Sequence, residues 1–459
     1  MNRRGISRRS FIASSVVAAG LAGAGYWYWN SDDSQSSDQE PNESGIVPSK
    51  EPLALVDGKL LDTDFPDPFA GGQLLGFVPF QLEGEGSSAI GRKGGQGHNS
   101  RRIIDVASLL MPQSRVTPAG NFYIRTEYPD LLNAPDDWKI KISGHAKNPL
   151  DLSLAKLDPA IDTKGPVLLE CSGNHRSLRY GLLSVANWDG VAIEKVLDFA
   201  GPTNKATSVL INGFDDDSTM PDMGPPYHEH SMPTCSWVFT REQLHQTGAF
   251  LATRLNGQSL PKDQGAPVRL VVPGWFGCTE VKWVNEIKLV DNTALATLQM
   301  FEFSDRTGQD LHPVPAISDF PGRQIGPKFA RDYKPAEIGP SLLPVRVEQW
   351  RLGHKLSYRI VGITWGDTSR ADKLKIRFRP QGRQAPYVPV LFCKPSTSIS
   401  AYGIWVHKFD PPSKGNYVID VRFASAGVRS RRLTRHESLA RGISTQVGFF
   451  ERAVTIPTV

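Results

Sequence analysis

The chain has 459 residues, 39% hydrophobic and 22% charged, with 42 Gly, 35 Pro and 4 Cys. That is length for roughly two or three domains, and the balance excludes a collagen, a small disulfide scaffold, a wholly disordered chain and a polytopic membrane protein. The formal net charge is +5, but Arg3, Arg4, Arg8 and Arg9 meet no acid within residues 1–30, so the surplus belongs mostly to the N-terminus. A nucleic-acid partner for the whole chain therefore has no support.

The N-terminus reads Ser7-Arg8-Arg9-Ser10-Phe11-Ile12, followed by an apolar stretch diluted with Ala and Gly up to Trp29. This is the layout of a twin-arginine export signal, with Ala22-Gly23-Ala24 as a fair small-residue cleavage site. A membrane anchor is the other reading, because a span needs roughly 17 to 25 residues and Tyr26-Trp27-Tyr28-Trp29 suits an aromatic interface belt. Residues 1–30 are expected to be that signal or anchor, which places the protein in the periplasm. Twin-arginine export carries folded proteins, so a cofactor inserted before crossing is expected. Residues 31–51 are polar and acidic, cannot repay the entropy of ordering, and read as a disordered linker.

From 52 to 325, short apolar runs alternate with helical ones and Gly/Pro loops, which predicts an α+β domain. Strands are expected at Trp138 to Ile142, Val167 to Leu169, Ser208 to Ile211 and Val268 to Val272. A helix is expected over Val191 to Ala200, stopping at Gly201-Pro202, and a hairpin turn at Asn256-Gly257. Residues 310–340 read as a connection. From 326 to 459 the period changes to two. Leu356, Tyr358 and Ile360, then Leu374, Ile376 and Phe378, then Tyr417, Ile419, Val421 and Phe423 alternate with polar residues, which predicts a β-sandwich. The arginines at 422, 429, 431, 432 and 435 read as a solvated face, with a docking surface as the lesser reading.

An even number of cysteines in an exported chain invites two disulfides. Cys171, however, ends an apolar strand in the loop Cys171-Ser172-Gly173-Asn174-His175-Arg176, where nearby cations favour thiolate. Thiolate suits a nucleophile or a soft metal ligand, and an inert buried cysteine is the plain alternative. Tyr227-His228-Glu229-His230 with Cys235 has a zinc-like His-x-His spacing without further ligands in a recognised pattern. The Gly-rich stretch from Gly84 to Gly97 lacks the Lys-Ser/Thr of a phosphate loop. No G-x-S-x-G or H-E-x-x-H motif occurs.

The run Leu169-Glu170-Cys171-Ser172-Gly173-Asn174-His175-Arg176-Ser177 resembles the molybdenum-cysteine loop of the sulfite oxidase family, whose usual form is Leu-Gln-Cys-Ala-Gly-Asn-Arg-Arg. The resemblance extends in order through Val116-Thr117-Pro118, Phe122-Tyr123-Ile124-Arg125, Trp188-Asp189-Gly190-Val191, Asn256 to Pro261, Pro267 to Gly274 and Val281-Lys282-Trp283, covering about residues 110–290. It implies a sulfite-oxidase-like molybdopterin-binding domain followed by an Ig-like β-sandwich of dimerisation type, hence a homodimer. The implied cofactor is molybdopterin with molybdenum, whose metal Cys171 would hold. Its pterin would lie against Tyr123, Ile124, Arg125, Thr126, Glu127, Asp215, Gln264, Arg269, Glu280, Val281 and Lys282.

The same resemblance places Arg125 and Arg176 as anion-binding catalytic residues, with Tyr227 or His228 facing the metal. The implied activity is oxygen-atom transfer, with sulfite oxidised to sulfate as the default. A sulfoxide or other oxo compound reduced by the same machinery is the alternative, and a cofactor-free binding protein is the rival. The substrate would be a small oxyanion or oxo compound. No haem region accompanies the domain, so a c-type cytochrome or membrane haem subunit would exchange the electrons. The chain departs from the family's usual pattern at Thr126-Glu127, which stand where Asn-His is usual, at Gln264 in place of His, and at His175 in place of Arg. Two further His and a Glu sit in the longer Tyr227-to-Pro233 segment. These departures bear on the substrate more than on the cofactor.

Overall fold

The computed structural model describes residues 67–81, 102–110, 116–125, 137–174, 180–214, 235–297, 299–300, 303, 307–309, 333–366, 374–394, 401–424 and 450–457. The expected export signal or anchor, the expected acidic linker, the Gly84-to-Gly97 stretch, most of the expected 310–340 connection and the arginines from 429 to 435 lie outside them. Among the described residues, strands dominate and the α-helices are short: Leu154–Leu157, Ile193–Asp198 and Arg241–Thr247. No helix among them is long and apolar enough to cross a membrane.

Two sheets carry the first half of the chain. One orders Leu150–Ser153, Lys139–Gly144, Val284–Val290, Ser208–Gly213 and Ser236–Thr240, with a parallel pairing between Lys139–Gly144 and Val284–Val290. The other orders Arg269–Val271, Phe250–Leu255, Leu183–Ala192 and Asp162–Glu170 in antiparallel fashion. The runs expected at Val167 to Leu169 and Ser208 to Ile211 sit inside these elements, while those at Trp138 to Ile142 and Val268 to Val272 overlap strands that begin one residue later, at Lys139 and Arg269. The expected helix forms over Ile193–Asp198 and buries Ile193, Val196 and Leu197, while Val191 belongs to the preceding strand. The strand wins there because Val191 pairs with Leu251. Asn256 and Gly257 have φ of 53° and 74°, the two positive values that a tight hairpin turn requires.

Two further antiparallel sheets hold the alternating segments. One orders Gln73–Val78, Ser341–Leu352, Lys355–Trp365, Gly403–Phe409 and Phe392–Lys394. The other orders Val388–Pro389, Leu374–Pro380, Gly415–Phe423 and Phe450–Ile456. Phe378 of one sheet stacks on Phe409 of the other at 3.8 Å, and Phe409 meets Tyr417 edge-on at 5.5 Å. The strand Gln73–Val78 comes from far upstream, yet it completes this pair by pairing with Ser341–Leu352. Buried between Trp350 and Glu348, Arg359 lies 4.4 Å from the Trp350 ring and 2.5 Å from the carboxylate.

The two halves are joined by backbone. Ile338 N–H donates to Gly274 O at 2.8 Å and Phe276 N–H to Ala336 O at 2.9 Å. A Tyr402 hydroxyl bond to Leu109 O adds a side-chain tie. One hydrophobic core runs through both halves.

Candidate functional site

The strand Asp162–Glu170 is buried from Val167 onward and ends at Cys171, itself 5% exposed. Cys171 N–H donates to Leu182 O at 3.1 Å, and Asn174 N–H returns to Cys171 O at 2.9 Å, closing a tight turn. Inside that turn Gly173 N–H donates to Cys171 Sγ at 3.3 Å. None of the four cysteines is disulfide-bonded, so the expected two disulfides do not form. The physical reason is placement: Cys171 and Cys278 are buried in the core, Cys235 lies against the Lys282 carbonyl at 3.5 Å, and Cys393 is on a sandwich strand.

The segment 116–125 is docked onto the strand Leu183–Ala192. Thr117 N–H donates to Val185 O at 2.7 Å, Val185 N–H to Thr117 Oγ1 at 3.1 Å, and Tyr123 N–H to Ser184 Oγ at 3.1 Å. The hairpin residue Asn256 secures the same segment by donating from Nδ2 to Thr117 O at 2.9 Å. These bonds bring Tyr123 over the cysteine loop. A Cβ on Gly277 would lie 2.8 Å from the Tyr123 hydroxyl, and Gly277 N–H donates to Glu170 O at 2.7 Å, so only glycine lets the three segments meet.

A buried polar chain continues from there. Gln264 Nε2 donates to Tyr123 O at 2.9 Å, and Arg269 Nη1 donates to Gln264 O at 3.1 Å. Arg269 Nη2 reaches Glu280 Oε2 at 3.4 Å, while Val272 N–H donates to Glu280 Oε1 at 3.3 Å. The guanidinium also lies 5.4 Å from the Trp188 ring. Beside it Lys282 Nζ donates to Asp263 O and lies 5.5 Å from the Trp283 ring.

Burial pushes the Glu280 carboxyl up to about 8, with Arg269 and the Val272 N–H pulling it only part of the way back. Burial and then Arg269 press the Lys282 ammonium down to about 7, against the opposing pull of Asp263, Cys235 and Cys171. Burial first and the Cys171 and Glu280 charges next hold the Tyr123 phenol well above its ordinary value. At neutral pH, then, Glu280 is mostly protonated beside the Arg269 guanidinium, and Lys282 is only partly protonated. The pocket is built for negative charge.

Tyr123, Gln264, Arg269, Glu280, Lys282 and Cys171 are thus brought into one neighbourhood. Ile124 and Val281 contribute scaffold: Ile124 N–H and O are both paired with Arg102 at 2.9 and 3.0 Å, and Val281 O accepts from Leu270 N–H at 2.7 Å. Arg125 follows directly and is partly buried. Thr126, Glu127, Arg176, Asp215, Tyr227 and His228 lie outside the described residues, as does the His-x-His segment. Among the described residues no group of three His, Cys, Asp or Glu side chains could hold a metal ion by itself. Sequence reasoning did not select Arg102, which donates to Phe122 O at 3.1 Å, or Asp263. It also passed over Glu170 and Trp365. Only Glu170 carried a signal, as an acid inside an apolar strand.

A buried thiol at a strand end, with Arg269 and Lys282 in the same neighbourhood, suits an anionic, soft-metal cofactor. Residues 126–297 match the family model of the oxidoreductase molybdopterin binding domain. Mitochondrial sulfite oxidase of Macaca fascicularis is 29% identical over 282 residues, 56% of this chain and 49% of that protein. The catalytic subunit MsrP of the protein-methionine-sulfoxide reductase of Xanthomonas campestris pv. campestris is 32% identical over 198 residues, 41% of this chain and 58% of that one. In fold, the sulfane dehydrogenase SoxCD of Paracoccus pantotrophus aligns with a TM-score of 0.54 at 16% identity, over 93% of this chain and 99% of that one. Over these residues the chain is similar to the sulfite oxidase family of molybdopterin oxidoreductases. It spans about half the length of the mammalian relatives it matches.

The residues present fit the cofactor of that family, molybdopterin carrying molybdenum. Cys171 would supply the soft donor, and beside it Ser172 Oγ is buried with no hydrogen-bond partner, a polar atom that a bound group could satisfy. Arg269 and Lys282 would supply charge for a pyrophosphate.

Proposed function

We propose that this chain is an exported, mononuclear molybdenum-pterin oxidoreductase that transfers an oxygen atom, with sulfite oxidation to sulfate as its first expected reaction. The observation that carries the reading is the convergence of the Cys171 thiol with Arg269, Lys282, Gln264 and Tyr123 in a buried pocket of surplus positive charge. When bound, the cofactor supplies the redox centre and the site of oxygen exchange.

The protein's own residues do the rest. Cys171 would hold the metal through its sulfur, with the Gly173 N–H supporting charge on it. Arg269 and Lys282 would bind the pterin's phosphate oxygens, Lys282 taking up a proton as it does so. Gln264, fixed between Tyr123 O and Arg269, would present its amide to the pterin edge. Arg125 and Arg176 would orient an oxyanion, and Tyr227 or His228 would face the reacting atoms. Sulfite plus water gives sulfate, two protons and two electrons, so a separate acceptor is required; a c-type cytochrome or membrane haem subunit fits that need. The twin-arginine N-terminus supports a periplasmic location, and the paired C-terminal sheets support an Ig-like, dimer-forming domain.

A second reading is reduction of a sulfoxide or another oxo compound, favoured by the likeness to MsrP. Molybdenum per chain, measured by elemental mass spectrometry on protein folded and exported in a cofactor-making host, tests the class. A near-stoichiometric value with loss in Cys171→Ser is expected; metal-free wild type would leave only a cofactor-free binding protein. Sulfite-dependent cytochrome c reduction set against viologen-driven sulfoxide reduction then separates the two reactions. Arg125→Met is expected to raise the KM of an anionic substrate by about tenfold or more through loss of charge-assisted bonds.

A further inference from the structure

Glu170 is 1% exposed and sits one residue before Cys171. Its two carboxylate oxygens answer to different donors. Oε2 accepts from Trp365 Nε1–H at 2.7 Å, and Oε1 accepts from Asn174 Nδ2 at 3.1 Å. Neither donor can be reversed. An indole nitrogen only donates, and Asn174 Oδ1 is committed to the Leu182 N–H at 3.1 Å, which turns its Nδ2 toward Glu170. The position therefore demands a side chain that accepts on both tips; an amide would set its own N–H groups against one of the two donors.

Trp365 ends the sandwich strand Lys355–Trp365, 195 positions away in sequence, and is fully buried. Asn174 closes the turn whose Gly173 N–H points at Cys171 Sγ. We propose that Glu170 and Trp365 form a positioning clasp through which the C-terminal sandwich sets the Cys171–Asn174 turn and thereby the aim of the Cys171 thiol. Glu170 touches no substrate in this role. Its carboxylate links one donor from the sandwich to one donor from the loop, so movement of the sandwich strand is passed to the turn that carries the thiol. The consequence for metal aim rests on the function proposed above, whereas the clasp itself does not.

The test uses the full chain with Trp365→Phe, which keeps the ring and removes the donor, and Glu170→Gln, which keeps the shape and offers a single acceptor. Trp405→Phe is the control: Trp405 is equally buried in the adjacent strand and donates to Ile363 O at 3.2 Å, away from the loop. Amide hydrogen exchange of the peptide covering residues 171–174 is read by mass spectrometry. On molybdenum-loaded protein the sulfur-to-metal charge-transfer band is recorded as well. About tenfold faster exchange is expected in both clasp variants, the scale of one lost buried bond, together with a displaced band. The control should keep the wild-type exchange and band even if its melting temperature falls equally.

Wild-type exchange in either folded clasp variant overturns the clasp, and so does equal acceleration in Trp405→Phe. If Trp365→Phe does not fold, Glu170→Gln decides alone. Wild-type protein without molybdenum would sink the enzyme reading, while accelerated exchange in the variants would still carry the clasp.

Discussion

The Arg269 guanidinium and the Glu280 carboxyl lie 3.4 Å apart, each almost sealed from solvent, and yet burial keeps the acid's pKa near 8. The pair is therefore a charged arginine beside a mostly neutral acid at pH 7, the arrangement an anion-binding pocket needs. Because the folded pKa stands above the ordinary 4.5, the contribution of Glu280 to stability is full below about 4.5 and is lost as pH rises through about 8. Glu280→Gln is expected to retain molybdenum and to flatten the fall of melting temperature between pH 5 and 8. Arg269→Met should instead lose the cofactor and cost about 3 kcal/mol or more, since Gln264 O and Glu280 lose their partner. Denaturant titrations and metal content check both.

Lys282 carries the opposite sign. Its folded pKa of about 7 lies below the ordinary 10.5, so the unfolded chain binds its proton more readily between those values, and the cost of keeping the folded lysine charged is complete below about 7. Lys282→Met is expected to stabilise the cofactor-free chain by about 3 kcal/mol at pH 6, allowing for its partial exposure, with the gain vanishing only well above pH 10.5. The same variant should lose most of its molybdenum. Stability traded against cofactor retention would mark Lys282 as a binding residue, and destabilisation at pH 6 would refute that.

Gly277 is a close approach within the site. A methyl group there would meet the Tyr123 hydroxyl at 2.8 Å and the Glu170 carbonyl at 3.4 Å. Gly277→Ala is expected to cost about 1 to 3 kcal/mol, the range for overpacking. Adding Tyr123→Phe removes the nearer clash and should recover part of that loss in a double-mutant cycle. Strict additivity would show that the two residues do not touch.

In the C-terminal sheets, burial holds the His407 imidazole down to about 4 from its ordinary 6.5, and its Nδ1 has no hydrogen-bond partner. A neutral folded histidine against an unfolded one that protonates means stability is full above about 6.5 and is lost as pH falls toward 4. The expected loss is on the order of 3 kcal/mol. His407→Phe should remove this acid sensitivity, read as the melting temperature at pH 7 and at pH 4.5.

Where a segment's own pattern governs its structure, the reading from sequence holds. Tyr417, Ile419, Val421 and Phe423 alternate because one face of Gly415–Phe423 is buried, and Asn256-Gly257 turns because both residues accept positive φ. The neighbourhood of Cys171, Gln264, Arg269 and Lys282 was legible only through resemblance, since nothing local in those segments states that they meet. Arg102 was not legible at all: its place beside the site comes from one antiparallel bridge to Ile124.

By itself the sequence determined the residue chemistry, namely a thiol at the end of an apolar strand, cations in the Arg269 and Lys282 segments, and a change from mixed periodicity to period two along the chain. Those properties are local and need no partner. Tertiary structure alone decided which donors answer Glu170, that an upstream strand, Gln73–Val78, completes the C-terminal sheets, and that Glu280 and Lys282 exchange their ordinary charge states for those of a dry pocket. The reason is physical. Hydrogen-bond partnership, strand pairing and desolvation depend on what lies across space, and residues 170 and 365 become neighbours only when the two halves of the chain close on each other.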